Sequence, residues 1–186
     1  MNTLPTPLVL VGCSSNKEKG AVNAEDLYTG ELFKLGRKFG NNLLFGSTWA
    51  ILSAKHGVIP PNLLVPPYDE CLDTAEKRRV WNAKVLEQLQ SDTYPTPAHR
   101  LTPPAPEPAR IIVLAGANYR GWIADAPTHW EIIVPLAGMG IGDQKAALGR
   151  MNESLDRSKH AWPIPDFEER LYRALMASLK TEKRAA

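Results

Sequence analysis

Four short runs of apolar residues constrain this chain more than any other feature: Leu8-Val9-Leu10-Val11, Trp49-Ala50-Ile51-Leu52, Ile111-Ile112-Val113-Leu114 and Trp130-Glu131-Ile132-Ile133-Val134. A strand with one wet face alternates apolar and polar residues, whereas near-continuous apolar runs belong to strands covered on both faces. The segments between the runs carry apolar residues about one helical turn apart. Strands alternating with helices predict an α/β fold: a single domain with a mainly parallel sheet of four or five strands flanked by helices.

The intervening segments sharpen this expectation. Leu27-Tyr28 and Leu32-Phe33-Leu35-Phe39 form a helical pattern that Gly40-Asn41-Asn42 is expected to stop. After the second run, Val58-Ile59-Pro60-Pro61 favours extended backbone, because consecutive prolines disfavour helix. Asp73 or Thr74 is placed to cap a helix with Trp81, Val85, Leu86 and Leu89 on one face. Further helices carry Leu148, Met151 and Leu155, then Phe167, Leu171, Leu175 and Leu179. Prolines at 95, 97, 103, 104, 106 and 108 mark residues 93–109 as a semi-rigid insertion. Residues 1–160 are therefore expected to form the domain, and residues 161–186 a C-terminal helix and frayed tail.

At 186 residues the chain is long enough to bury a core without disulfide or metal support. A formal net charge of +2 does not announce a nucleic-acid binder, although a local basic surface is compatible with it. Cys13 and Cys71 are the only cysteines, and His56, His99, His129 and His160 are dispersed, so neither a disulfide scaffold nor a metal site is expected. No cofactor is expected either. The lack of a secretory signal or a membrane-length apolar stretch suggests a reduced, cytoplasmic protein with no membrane partner.

In open α/β sheets, ligands bind outside the carboxyl ends of the strands. Polar clusters follow the apolar runs at those places. Gly12-Cys13-Ser14-Ser15-Asn16-Lys17 offers a thiol, hydroxyls and backbone donors with an ammonium nearby, which suits an anion or a polar base. A solvated loop over a buried Cys13 is the plainer alternative, and the spacing is neither a Walker loop nor a dinucleotide fingerprint. Ser53-Ala54-Lys55-His56-Gly57 brings charge directly after a buried strand, where His56 could move a proton and Lys55 could stabilise negative charge. A structural hydrogen bond from His56 and a Lys55 salt bridge would also explain them.

Tyr68 and Asp69 follow a proline-stiffened loop that could aim a ring at a planar base and a carboxylate at a water. Asp69 could equally be a helix-entry residue near the positive end of the dipole. Asn118 and Tyr119 follow the third run. Gly138-Met139-Gly140-Ile141-Gly142 follows the fourth, where Gly140 and Gly142 would allow backbone amides to approach phosphate or simply form a tight turn.

Together, Gly12 to Lys17, Asp26-Leu27-Tyr28-Thr29-Gly30-Glu31-Leu32-Phe33, Ile51 to Gly57, Pro67-Tyr68-Asp69, Leu114-Ala115-Gly116, Tyr119 and Pro135 to Gly142 resemble a bacterial and phage family, domain of unknown function 6884, to about residue 150. More distantly, Lys55 to Pro61 with Pro67-Tyr68 is similar to YaaA-type peroxide-stress proteins, which are associated with DNA. Cys13 and Lys17 resemble the Cys-x-x-x-Lys start of the archaeosine synthase motif, although Glu18-Lys19 stands where that motif continues Pro-Tyr. These resemblances imply a nucleobase pocket in a uracil-DNA-glycosylase-like architecture.

The resulting expectation is an enzyme acting on a nucleobase or its N-glycosidic bond, in nucleic acid or a nucleotide. Lys17, Lys55, His56 and Asp69 are its catalytic candidates. Cys13, Ser14, Tyr28, Ser53, Tyr68, Asn118, Tyr119, Gly140 and Gly142 are its binding candidates. The competing expectations are a non-catalytic nucleotide or modified-DNA sensor and a module recruiting partners through the proline-rich insertion.

Overall fold

The computed structural model describes residues 7–43, 48–90, 110–161 and 166–179. The proline-rich insertion at 93–109 and the tail from residue 180 lie outside the described residues.

Each apolar run becomes a strand of one sheet: β1 (Leu8–Gly12), β3 (Thr48–Ser53), β6 (Arg110–Leu114) and β7 (Glu131–Ile133). β1 lies between β3 and β6, and β7 lies beyond β6, with every one of these pairings parallel. The stretch expected to be merely extended adds a fifth strand, β4 (Gly57–Ile59), antiparallel to β3 at the edge. Its pairing ends before Pro60, as a residue without an N–H requires. A separate two-stranded ribbon joins β2 (Val22–Asn23) to β5 (Leu64–Val65).

Successive strand side chains point to opposite faces, and the register sorts them consistently. Val9, Val11, Trp49, Ile51, Ile112 and Leu114 share one core with α2 (Glu31–Asn42), α4 (Ile141–Lys159) and α5 (Phe167–Leu179). Leu10, Ala50, Leu52, Ile111 and Val113 face the other way, against Trp81, Val85 and Leu89 of α3 (Ala75–Gln90) and Trp122 of a 3₁₀ turn (Gly121–Asp125). The result is a three-layer α/β/α sandwich. At about 25 cal/mol per Å² of apolar surface, burial on both faces explains why the strands tolerate so little polarity.

The short helix α1 (Ala24–Leu27) separates Leu27 and Tyr28 from α2, and α2 runs through the expected Gly40-Asn41-Asn42 stop. Packing overrides helix propensity there: a Cβ at Gly40 would lie 2.8 Å from the Trp49 ring, so the glycine admits the indole. Thr74 caps α3, its hydroxyl accepting the Lys77 N–H at 3.2 Å. Arg110 anchors α5 to the sheet through hydrogen bonds of 2.8 and 2.7 Å to the Glu168 carboxylate. Leu171 and Ala174 of α5 are buried in the same core as Val9 and Ile112.

The chain moves from β1 outward to β3, then crosses back to β6 on the other side of β1. That reversal makes the carboxyl ends of β1 and β6 the topological switch point of the sheet, the usual ligand position of a doubly wound fold. Gly12 lets the two ends approach, since a Cβ there would meet Ala115 Cβ at 3.0 Å.

Candidate active site

Parallel pairing places the loops after β1, β3, β6 and β7 at one edge of the sheet. The loop after β1 is held by two backbone hydrogen bonds to the strip around Tyr28. Glu18 N–H donates to the Leu27 carbonyl at 2.8 Å and Thr29 N–H donates to the Asn16 carbonyl at 3.1 Å, the pair that makes Lys17 and Tyr28 an isolated antiparallel bridge. The Ser14 hydroxyl accepts the Gly30 N–H at 3.1 Å and donates to the Asn16 carbonyl at 2.8 Å, so it shapes this loop. Gly30 is required by the approach: a Cβ there would stand 2.6 Å from Ser14 Cβ.

A chain of hydroxyls forms at this edge. Tyr28 and Tyr68 share a hydrogen bond of 2.9 Å, and Tyr68 shares another of 2.7 Å with Ser53, whose Oγ also accepts the His56 N–H at 3.1 Å. Cys13 Sγ lies 3.3 Å from the Tyr119 hydroxyl, joining the loops after β1 and β6. Two ammonium groups flank the same aromatic ring: Lys17 Nζ is 4.5 Å and Lys55 Nζ 5.7 Å from the Tyr68 centroid. Such cation–π contacts fix the lysines without neutralising them.

Helix α3 supports this loop with residues absent from the sequence candidates. The Trp81 indole N–H donates to the Ser53 carbonyl at 2.8 Å, Lys84 donates to the Lys55 carbonyl at 3.2 Å, and Gln88 donates to the His56 carbonyl at 3.2 Å. Gln88 Oε1 also accepts the Val58 N–H at 2.8 Å, beside a Gly57 whose φ of 76° suits glycine. Trp81 was legible as a core residue from its position in the helical stripe. Its bond to a strand-end carbonyl had no sequence signal.

Other candidates share the edge without joining the cluster. Asp69 and Asn118 are exposed, and among the described residues no hydrogen bond or ion pair ties either to these groups. Gly140 precedes the first turn of α4, the space beside Gly142 is open, and Asp143 brings a carboxylate to that turn. The first turn of α4 thus already carries the negative charge that a helix N-terminus favours.

Residues 8–150 match the model of a family of unknown function, DUF6884. The chain belongs to that family. No curated protein and no solved structure matches it. The DUF6884 region contains the whole sheet and cluster, ends inside α4 and leaves α5 beyond it. Among the described residues, no helix is long and apolar enough to cross a membrane, and no group of three His, Cys, Asp or Glu side chains is arranged to hold a metal ion.

Burial controls protonation in this DUF6884 site. It raises the pKa of Tyr28, Tyr68 and Tyr119, and the neighbouring Cys13 adds to the rise for each. The phenols therefore keep their protons at neutral pH and act as hydrogen-bonding groups. Burial lowers the His56 pKa, and Lys55 and Lys84 lower it further by repelling a protonated imidazole. His56 is consequently neutral near pH 7.

Proposed function

We propose that this DUF6884 protein acts on a nucleobase or its N-glycosidic bond, in DNA, RNA or a nucleotide, as a glycosylase-like hydrolase or a base-modifying transferase. The observation carrying this reading is the Tyr28–Tyr68–Ser53 hydroxyl chain, flanked by Lys17 and Lys55, at the carboxyl edge of the sheet. Neutral phenols suit the donor and acceptor edge of a base, while unneutralised ammonium groups suit charge on a leaving group.

In a hydrolytic reaction, His56 takes a proton from water as the water oxygen bonds to the sugar carbon. The C–N bonding pair leaves with the base, whose developing charge faces Lys55 before the base acquires a proton. A target within a duplex must first be extruded, at a cost of a few kcal/mol. The two free thiols support a reducing compartment, and we assign the protein to the cytoplasm on that basis.

The second reading is a nucleotide or modified-DNA sensor using the same cluster. Its support is specific: among the described residues, exposed Asp69, the carboxylate adjacent to Tyr68, has no hydrogen bond or ion pair to the cluster. Incubation with base-modified DNAs, nucleosides and nucleotides, with released or altered base measured by mass spectrometry and binding by thermal shift, distinguishes the readings. Turnover abolished by His56→Gln supports the enzyme. Binding without turnover supports the sensor, and absence of both across the panel overturns both.

A further inference from the structure

Lys84, which did not figure among the sequence candidates, extends the basic side of the cluster. It comes from the middle of α3 and crosses to the β3–β4 loop, where its ammonium donates to the Lys55 carbonyl at 3.2 Å. Lys55 reaches the Tyr68 ring from that loop, and Lys17 reaches the same ring from the loop after β1. Lys17 and Lys55 thus share the Tyr68 ring, while Lys55 and Lys84 both act on the His56 imidazole.

Several other cations are paired with carboxylates. Lys38 pairs with Asp156, Lys77 with Glu70 and Asp73, Lys145 with Glu31, and Arg110 with Glu131 and Glu168. Among the described residues, no carboxylate forms an ion pair with Lys17, Lys55 or Lys84. Gathering like charges without a counter-charge is unfavourable, and an anion entering between them relieves that repulsion. Backbone and ring contacts already orient the amines, so less side-chain freedom is lost when the anion arrives.

We propose that Lys55 and Lys84, assisted by Lys17, form a phosphate subsite, so that the protein takes its base as part of a phosphorylated nucleotide unit. This rests on the nucleobase reading, because the phenols beside the lysines supply the proposed base-binding half. Lysine suits the role as a mobile point charge for phosphate oxygens. A mononucleotide and a single-stranded nucleic acid present the same phosphate chemistry.

The test is calorimetric titration of the full chain with inorganic phosphate, common nucleosides, their 5′-monophosphates and a single-stranded oligonucleotide. Monophosphates are expected to bind at least about ten-fold more tightly than nucleosides, and Lys55→Ala/Lys84→Ala is expected to remove that difference, read as the ratio of the two affinities within the same variant. Both lysines are exposed, and circular dichroism and thermal melting verify the folded double variant. A second readout is the His56 imidazole signal in NMR titration, whose pKa should rise when a monophosphate binds.

Equal affinity for nucleosides and monophosphates overturns the subsite, as does a difference that persists in the folded double variant. Failure of every probe to bind also overturns it. Binding of inorganic phosphate that disappears in the double variant, without any contribution from a base, sustains the subsite and removes the nucleobase reading. Tighter binding of the oligonucleotide or of the mononucleotide, lost in the double variant, sustains it and identifies the phosphate source.

Discussion

Tyr68→Phe tests the hydroxyl chain at its centre. The substitution keeps the ring and removes one oxygen, leaving no large cavity while breaking the 2.9 Å bond to Tyr28 and the 2.7 Å bond to Ser53. At about 0.5–1.5 kcal/mol for each neutral hydrogen bond, the expected loss is about 1–3 kcal/mol. For a chain of this size the corresponding fall in Tm is about 2–12 °C.

Urea unfolding followed by circular dichroism gives the free energy, and a cycle with Tyr28→Phe isolates the shared bond. If the bond is formed as described, the double variant loses about 0.5–1.5 kcal/mol less than the sum of the single variants. Additive losses, or a Tyr68→Phe variant as stable as the parent, would refute the chain. Tyr119→Phe is the internal comparison: it forfeits only a 3.3 Å contact to the Cys13 thiol, a weak hydrogen-bonding group, and should cost less than Tyr68→Phe.

His56 should titrate by NMR below its ordinary pKa of 6.5, because burial and the Lys55 and Lys84 charges oppose protonation. Since the unfolded chain binds that proton more readily, the stability His56 contributes is fully present above pH 6.5 and declines as pH falls through its folded pKa; His56→Gln should flatten this dependence in pH-resolved unfolding. Gly57→Ala should destabilise the hairpin by at least about 1–3 kcal/mol, because φ is 76° and the new Cβ would sit 2.0 Å from Gln88 Oε1. Guanidinium unfolding in a Gln88→Ala background should recover only the part due to that collision, whereas complete recovery would rule out backbone strain at Gly57.

Much of the architecture was readable because the relevant physics is local. Runs such as Leu8 to Val11 contain no polar positions for a wet face, so they specify strands covered on both sides. The stripe Trp81, Val85 and Leu89 specifies the inward face of α3, and Thr74 specifies its start. Helix boundaries were less legible where packing intervened, as with Gly40 against Trp49 and the separation of α1 from α2. The edge strand β4 was also obscured, since Gly57 and Pro60 suggest a break when their partner strand is unknown.

The sequence by itself determined the strand-and-helix alternation, the covered sheet and the chemical groups following its strands. Tertiary structure decided which groups meet. Tyr28 reaches Tyr68, Cys13 reaches Tyr119, and Lys84 reaches the loop carrying Lys55, while Asp69 stays outside the hydrogen-bonded cluster despite its adjacency to Tyr68. Periodicity reports how each segment presents its faces to water, but those encounters depend on strand order and crossover path. That order brings the β1 and β6 ends together and makes separate polar loops into one candidate site.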